Sequence, residues 1–192
     1  MLEPQDLPGR YGRVVRAFER LLEAVHGTAV VAGGWAVWRH GYLGRVTQDL
    51  DIVVPANLVD ELLRAAAVSG FEVLPRGAGM WPRLRHKESD VQVDLLPEGA
   101  TPGTADQPAP TKIPHPNQIG GHLGPLKYIK LPALIQLKLA AGRARDDSDV
   151  VELILANPDQ VDGIRQHLAA VHRRYAARFD KLRARARQQK DR

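Results

Sequence analysis

The 25 residues from Val30 to Val54, VVAGGWAVWRHGYLGRVTQDLDIVV, constrain the fold more than any other stretch of this chain. Thr28 to Ala32 is a short apolar run that reads as a buried strand. Gly33 and Gly34 follow. Trp35 to Trp38 then reads as a short helix that ends near Gly41. Asp49-Leu50-Asp51-Ile52-Val53-Val54 alternates acidic and apolar residues before turning wholly apolar. Side chains two apart in a strand point the same way. Asp49 and Asp51 should therefore share one face, with Leu50 and Ile52 in the core.

Two carboxylates side by side repel, and one of them should take up a proton. A divalent hard cation removes that cost, and Mg²⁺ prefers oxygen ligands together with substrate phosphates. A Gly-Gly turn lets backbone N–H groups come close to a phosphate. One half of the stretch can hold phosphates and the other half the metal that bridges them.

With Arg45 and Thr47 between them, Gly33-Gly34 and Asp49-x-Asp51 resemble the signature of polymerase-β-like nucleotidyltransferases. GGWAVWRHGYLGRVTQDLDI is most similar to AbiEii-type toxins and to aminoglycoside and lincosamide nucleotidyltransferases. One departure, in spacing, is visible, beside a common variant in the glycine pair. Fourteen residues separate Gly34 from Asp49, slightly more than is usual, and the second glycine stands where serine is common. The resemblance implies an NTP substrate, Mg²⁺ or Mn²⁺ on Asp49, Asp51 and a third carboxylate, and nucleotide contacts at Gly33, Gly34, Arg45 and Thr47. It also implies an acceptor hydroxyl, carried by RNA or protein in a toxin–antitoxin system or by an antibiotic. A partner antitoxin belongs to the toxin reading. A non-catalytic binding module on the same fold is the alternative from a different class.

The third carboxylate is expected at Asp94. Val91, Val93 and Leu95 share one face of VQVDLL, and Asp94 lies on the other. An acid in an apolar strand needs a partner. That partner is either an arginine such as Arg83 or Arg85, or the metal. LPALIQLKLAAGRARDDSDVVELI gives a second match to the resembled proteins. Leu131 to Ala141 reads as one helix, broken by Gly142 and Arg143, and the next helix starts at Asp146 to Asp149 with Asp146 or Asp147 as its cap. Lys138 sits in an apolar column with Leu134 and Ile135. It snorkels out, finds an acid or meets a phosphate. The resemblance implies the phosphate, with Asp146 or Asp149 holding the ammonium.

The remaining elements are read from periodicity and turn chemistry. A first helix spans about Pro8 to His26 and ends at Gly27. Asn57 caps a helix that buries Leu58, Val59, Leu62 and Leu63. Phe71 to Leu74 and Trp81 to His86 read as strands, the second near a sheet edge. Pro97 to Pro125 reads as a long irregular loop. Its histidines, His115 and His122, are expected to be structural or solvated and not zinc ligands, and Gly120 to Gly124 is no dinucleotide fingerprint. Leu126 to Ile129 reads as a strand, and Pro158 opens a last long helix.

The expected fold is α/β: a small mixed sheet of the nucleotidyltransferase fold flanked by helices. Residues 1–130 form the core, with the loop at 97–125, and residues 131–192 a helical C-terminal part with a basic tail. The chain of 192 residues contains no cysteine, which excludes disulfides, thiolate catalysis and Cys-based zinc sites. Glu3 and Asp6 near the N-terminus and the lack of a long apolar run point to a soluble, cytoplasmic protein with no membrane partner. The net charge of +5 is local: residues 172–192 hold nine Lys or Arg against two Asp, leaving −2 for the rest. The apolar stripe of the last helix ends at Leu182. Beyond it the tail is either a solvated, fraying end or a nucleic-acid contact.

Overall fold

The computed structural model describes residues 3–77, 79–120 and 124–190. The apolar runs assemble one mixed sheet from β1 (Ala29–Val31), β2 (Leu50–Val54), β3 (Phe71–Leu74), β4 (Arg83–His86), β5 (Val91–Pro97) and β6 (Leu126–Tyr128). Their order is β3-β4-β5-β2-β1-β6. The pairs β2/β5 and β1/β6 are parallel, and β1/β2, β3/β4 and β4/β5 are antiparallel. The helices are α1 (Gly9–Ala24), α2 (Gly33–Arg39), α3 (Val59–Ala65), α4 (Pro116–Ile119), α5 (Leu131–Ala141), α6 (Ala144–Ala156), α7 (Val161–Val171) and α8 (Arg173–Lys190). The α/β class with a mixed sheet is as expected.

Strand alternation gives the sheet two different faces. Leu50, Ile52 and Val54 of β2 join Val93 and Leu95 of β5 in a cluster with Val14, Phe18, Leu21 and Leu22 of α1. The opposite residues, Val30 and Val53, join a second cluster made mainly by α5 to α8. Helix α5 is apolar around most of its circumference, as a helix enclosed on several sides must be. Leu131, Ala133, Leu134, Ile135, Leu139 and Ala140 are all buried.

Several local expectations are corrected. Helix α1 stops at Ala24, and the left-handed residue of its end is His26 (φ 49°), not Gly27. The Gly27 N–H instead closes the end by donating to the Leu22 carbonyl at 2.8 Å. Asn57 caps nothing. It lies in a single 3₁₀ turn, Ala56–Leu58, and α3 begins at Val59. Strand β4 lies near the sheet edge as expected, next to the edge strand β3, and pairs with β5 on its other side. Pro82 escapes the sheet penalty by standing just before β4, with its carbonyl accepting from Leu95 N–H at 2.9 Å. The stretch 97–125 is not wholly irregular. It carries α4, capped by His115, whose Nδ1 accepts from Asn117 N–H at 3.1 Å. His122 lies outside the described residues.

Helix α6 begins at Ala144, two residues before the expected start. Asp146 is its third residue and reaches back to accept from Arg143 N–H at 3.2 Å. The last helix is two: extended backbone at His172 (φ −164°, ψ 132°) separates α7 from α8. Helix α8 does not fray at Leu182. Ala186 is buried, and Gln189 donates to Glu152 at 2.8 Å. Among the described residues no helix is long and apolar enough to cross a membrane.

Candidate active site

The alternation in DLDI turns Leu50 and Ile52 into the cluster under α1 and leaves Asp51 on the face covered by α5. Asp94 is the register partner of Asp51 on the parallel neighbour β5, so the two lie side by side on that face. Asp49 precedes Asp51 by two residues. Gly33 packs directly on this group. A Cβ built there would lie 1.7 Å from Asp51 Oδ2, and its φ of +58° also favours glycine. A Cβ at Gly34 would lie 2.6 Å from Thr47 Cβ. Thr47 Oγ1 in turn donates to Asp49 Oδ1 at 3.0 Å. The glycine pair, Thr47 and the acidic pair thus form one packed unit.

Asp94 has a cationic partner. Arg83, its cross-strand neighbour on β4, donates from Nε to Asp94 Oδ1 at 2.5 Å and from its terminal nitrogen to Oδ2 at 2.6 Å. The salt bridge weighed from sequence is therefore present, and it occupies both Asp94 oxygens. Asp51 is left crowded. Burial first, then the charges of Asp49 and Asp94, push its carboxyl up to about 6. Among the described residues no three His, Asp or Glu side chains are gathered into a ready metal site, and the Arg83 fork holds Asp94. The donor chemistry nonetheless fits a hard cation. Asp51 lies beside Asp94 and two residues from Asp49, and a divalent ion would relieve the repulsion that raises its carboxyl.

Lys138 faces the same region from α5. It is buried, and its Nζ donates to Asp149 Oδ2 at 2.6 Å and Asp146 Oδ1 at 3.2 Å. The sequence left two acids open as its partner, and it takes both. Arg45 Nε lies 3.2 Å from Asp149 Oδ1, and Arg143 Nε lies 2.7 Å from Asp146 Oδ2. The result is a chain of five charges, Arg45–Asp149–Lys138–Asp146–Arg143. Burial pushes the Asp146 carboxyl up, but the Arg143 hydrogen bond and the Lys138 charge outweigh it and hold the group below its ordinary value.

Two cavities meet at these residues. Both are lined by Asp51, Arg83, Asp94, Lys138 and Arg143. One, of about 780 Å³, is polar and adds Asp49, Thr47 and three arginines, Arg10, Arg45 and Arg145. The other, of about 700 Å³, has apolar walls from Trp81, Leu96, Ile113, Leu134 and Leu137. Arg10, Arg143 and Arg145 were not singled out as site residues from sequence. Arg143-x-Arg145 at the start of α6 carried a signal, since it follows the Lys138 helix directly. Arg10 carried none, because only the fold brings α1 to this cavity.

No protein-family profile matches the chain, and no curated protein does. Several solved structures are similar to it. The antibiotic-resistance factor ANT(2'')-Ia in solution aligns at 17% identity with a TM-score of 0.46, over 93% of this chain and 92% of that one. The crystal structure of ANT(2")-Ia in complex with adenylyl-2"-tobramycin aligns at 16% identity and 0.43, over 92% and 97%. An antigenic nucleotidyltransferase-like protein from Paracoccidioides brasiliensis aligns at 15% identity and 0.46, over 88% and 91%. At these identities and scores the likeness bears on neither substrate nor reaction.

Proposed function

We propose that this chain is a metal-dependent nucleotidyltransferase, moving a nucleoside monophosphate from an NTP to a hydroxyl acceptor. The observation that carries the reading is Asp51 beside Asp94 on one sheet face, with Asp49 just before β2, Gly33 packed on Asp51 and buried Lys138 lining the same cavities. The polar cavity suits the triphosphate: Arg10, Arg45, Arg143, Arg145 and Lys138 line it. The other cavity shares Asp51 and Asp94 with it, has apolar walls and suits the acceptor. That division would give the entering oxygen and the departing pyrophosphate separate places around the shared carboxylates, as in-line displacement needs.

Mg²⁺ or Mn²⁺ on Asp49, Asp51 and a released Asp94 would neutralise the triphosphate and the charge developing on it. The acceptor oxygen attacks the α-phosphorus. The bond to the bridging oxygen breaks, and pyrophosphate leaves with the electron pair. Asp94, which opens to both cavities, takes the hydroxyl proton as Arg83 gives way. Lys138 turns from its acids to the leaving phosphates, whose negative charge it stabilises. Gly33 and Gly34 allow the phosphates close to the backbone, and Thr47 fixes the Asp49 rotamer through its hydroxyl.

For the acceptor we infer RNA or protein, as in a toxin–antitoxin pair. The supporting observation is the row of exposed cations on α8, Arg173, Arg174, Lys181, Arg185 and Arg187. Calorimetry with each NTP, with and without Mg²⁺, tests the whole reading. Mg²⁺-dependent binding of at least one NTP is expected. No binding of any NTP would instead favour a non-catalytic module.

A further inference from the structure

Arg76 and Trp81 have no part in the transfer just derived, yet both line the apolar-walled cavity from the segment between β3 and β4. Arg76 Nε is buried and has no hydrogen-bond partner among the described residues. A buried donor left unpaired is costly, and a charged one more so. Before substrate binds, the other cations of the cavity are paired: Arg83 with Asp94, Lys138 with Asp146 and Asp149, and Arg143 with Asp146. Two of its three acids are paired as well. Asp94 and Asp146 hold cations, and Asp51 belongs to the crowded acidic set. Arg76 is therefore the one cationic side chain lining this cavity, among the described residues, that has no acidic partner.

We propose that Arg76 and Trp81 select the acceptor, and that the acceptor is an oxyanion-bearing hydroxyl compound with a planar, apolar part. The guanidinium presents its donors as a fork that matches a phosphate or carboxylate. The Trp81 indole, beside Leu96 and Ile113, offers a flat apolar surface for the ring. A polycation finds Asp94 and Asp146 already paired and meets Arg76 with like charge. Acceptor selection here rests on the transferase reading, while the oxyanion pocket itself is measurable without turnover.

The probes are three naphthalenes of similar size: 1-naphthyl phosphate, 1-naphthoate and 1-naphthylmethylammonium. Binding to the full chain is followed by calorimetry and by quenching of tryptophan fluorescence. The anions are expected to bind at least tenfold more tightly than the ammonium compound. Arg76→Gln should weaken the anions roughly tenfold, the scale of one lost charge-assisted hydrogen bond. Arg76→Lys should keep the preference for anions, and Trp81→Phe should remove most of the quenching. The tighter anion identifies the acceptor as phosphorylated or carboxylated. Failure of both anions to bind, anion affinity unmoved by Arg76→Gln, or an ammonium compound that binds as well as the anions would each overturn the assignment. NTP binding is measured separately on the wild-type chain. Its loss sinks the transferase and leaves the pocket, whereas its presence beside an Arg76-independent anion site sinks the pocket alone.

Discussion

The two faces of this sheet use the same strands for opposite purposes. Toward α1, β2 and β5 present Leu50, Ile52, Val93 and Leu95, every one fully buried in an apolar cluster. Toward α5, the residues between them are Asp51 and Asp94, and the covering helix brings Lys138 with two more acids behind it. The first face can be replaced by anything apolar of similar volume. The second is specified atom by atom, because each buried charge depends on a partner at one distance. Stability and chemistry are thus separated by a one-residue offset along the strand.

Breaking the charged chain should have the largest effect. Asp149 is fully buried and touches both Lys138 and Arg45. Asp149→Ala leaves a buried ammonium with Asp146 alone and should cost about 3–5 kcal/mol of unfolding free energy. Leu95→Ala on the apolar face should cost about 2–5 kcal/mol through transfer and cavity terms. Urea denaturation of the two variants measures both. The comparison sharpens if Asp149→Asn, which keeps shape and one acceptor, recovers only part of the loss while Leu95→Met recovers most of it. A stability unchanged by Asp149→Ala would show that the charged face is not held by these pairs.

Lys138→Ala is expected to lower the transfer rate by about 2–4 kcal/mol of transition-state stabilisation, the scale of one lost charged donor. Arginine should rescue poorly, because its planar fork does not fit a pocket shaped for an ammonium between two carboxylates. Single-turnover rates with saturating NTP decide this, and an alanine variant within twofold of wild type would remove Lys138 from the chemistry.

Asp51 gives the opposite sign. Its carboxyl is raised from 3.8 to about 6, so the folded state binds the proton more tightly than the unfolded chain. Its contribution is fully present below 3.8 and is lost as pH rises toward about 6. Without added metal, wild type should therefore lose stability over that interval through this group, and Asp51→Asn should not. At pH 7 the variant should be more stable by about 1–2 kcal/mol, although it transfers nothing. Melting curves at pH 4 and pH 7 in chelator are the measurement. A variant less stable than wild type at pH 7 would mean that the three acids do not crowd one another.

How much of this was legible in the sequence follows from the range of each signal. DLDI and VQVDLL name the face of Asp51 and Asp94 because period two is local. Lys138 stands out because its neighbours one turn away are all apolar. What joins them is not local. Nothing in VQVDLL says that β5 lies parallel beside β2 in register at Asp51, or that Arg83 will claim Asp94 from the other side. Arg10 and Arg76 read as ordinary surface charges until the fold gives each a cavity. The end of α8 was misread for a different reason. Its last anchor is Ala186, too small to register as an apolar stripe, yet buried in the cluster made mainly by α5 to α8.

The smallest effect is expected where the same chemistry stands in water. Arg165 donates to Asp180 through two bonds of 3.2 Å, a better fork than most, and joins α7 to α8. Both side chains are nearly half exposed, at 48% and 44%. Water already solvates both ions, salt screens their attraction, and holding two long side chains in one geometry costs entropy. Arg165→Gln should therefore change stability by less than about 1 kcal/mol, and less still at high salt. Lys138 and Asp149 lie 2.6 Å apart with almost no exposure, so their pairing should respond little to salt. Denaturation of Arg165→Gln and Asp149→Ala at low and high ionic strength places the two pairs on one scale. An Arg165 effect that matched the Asp149 effect, or an Asp149 effect that vanished in salt, would mean that burial is not what separates them.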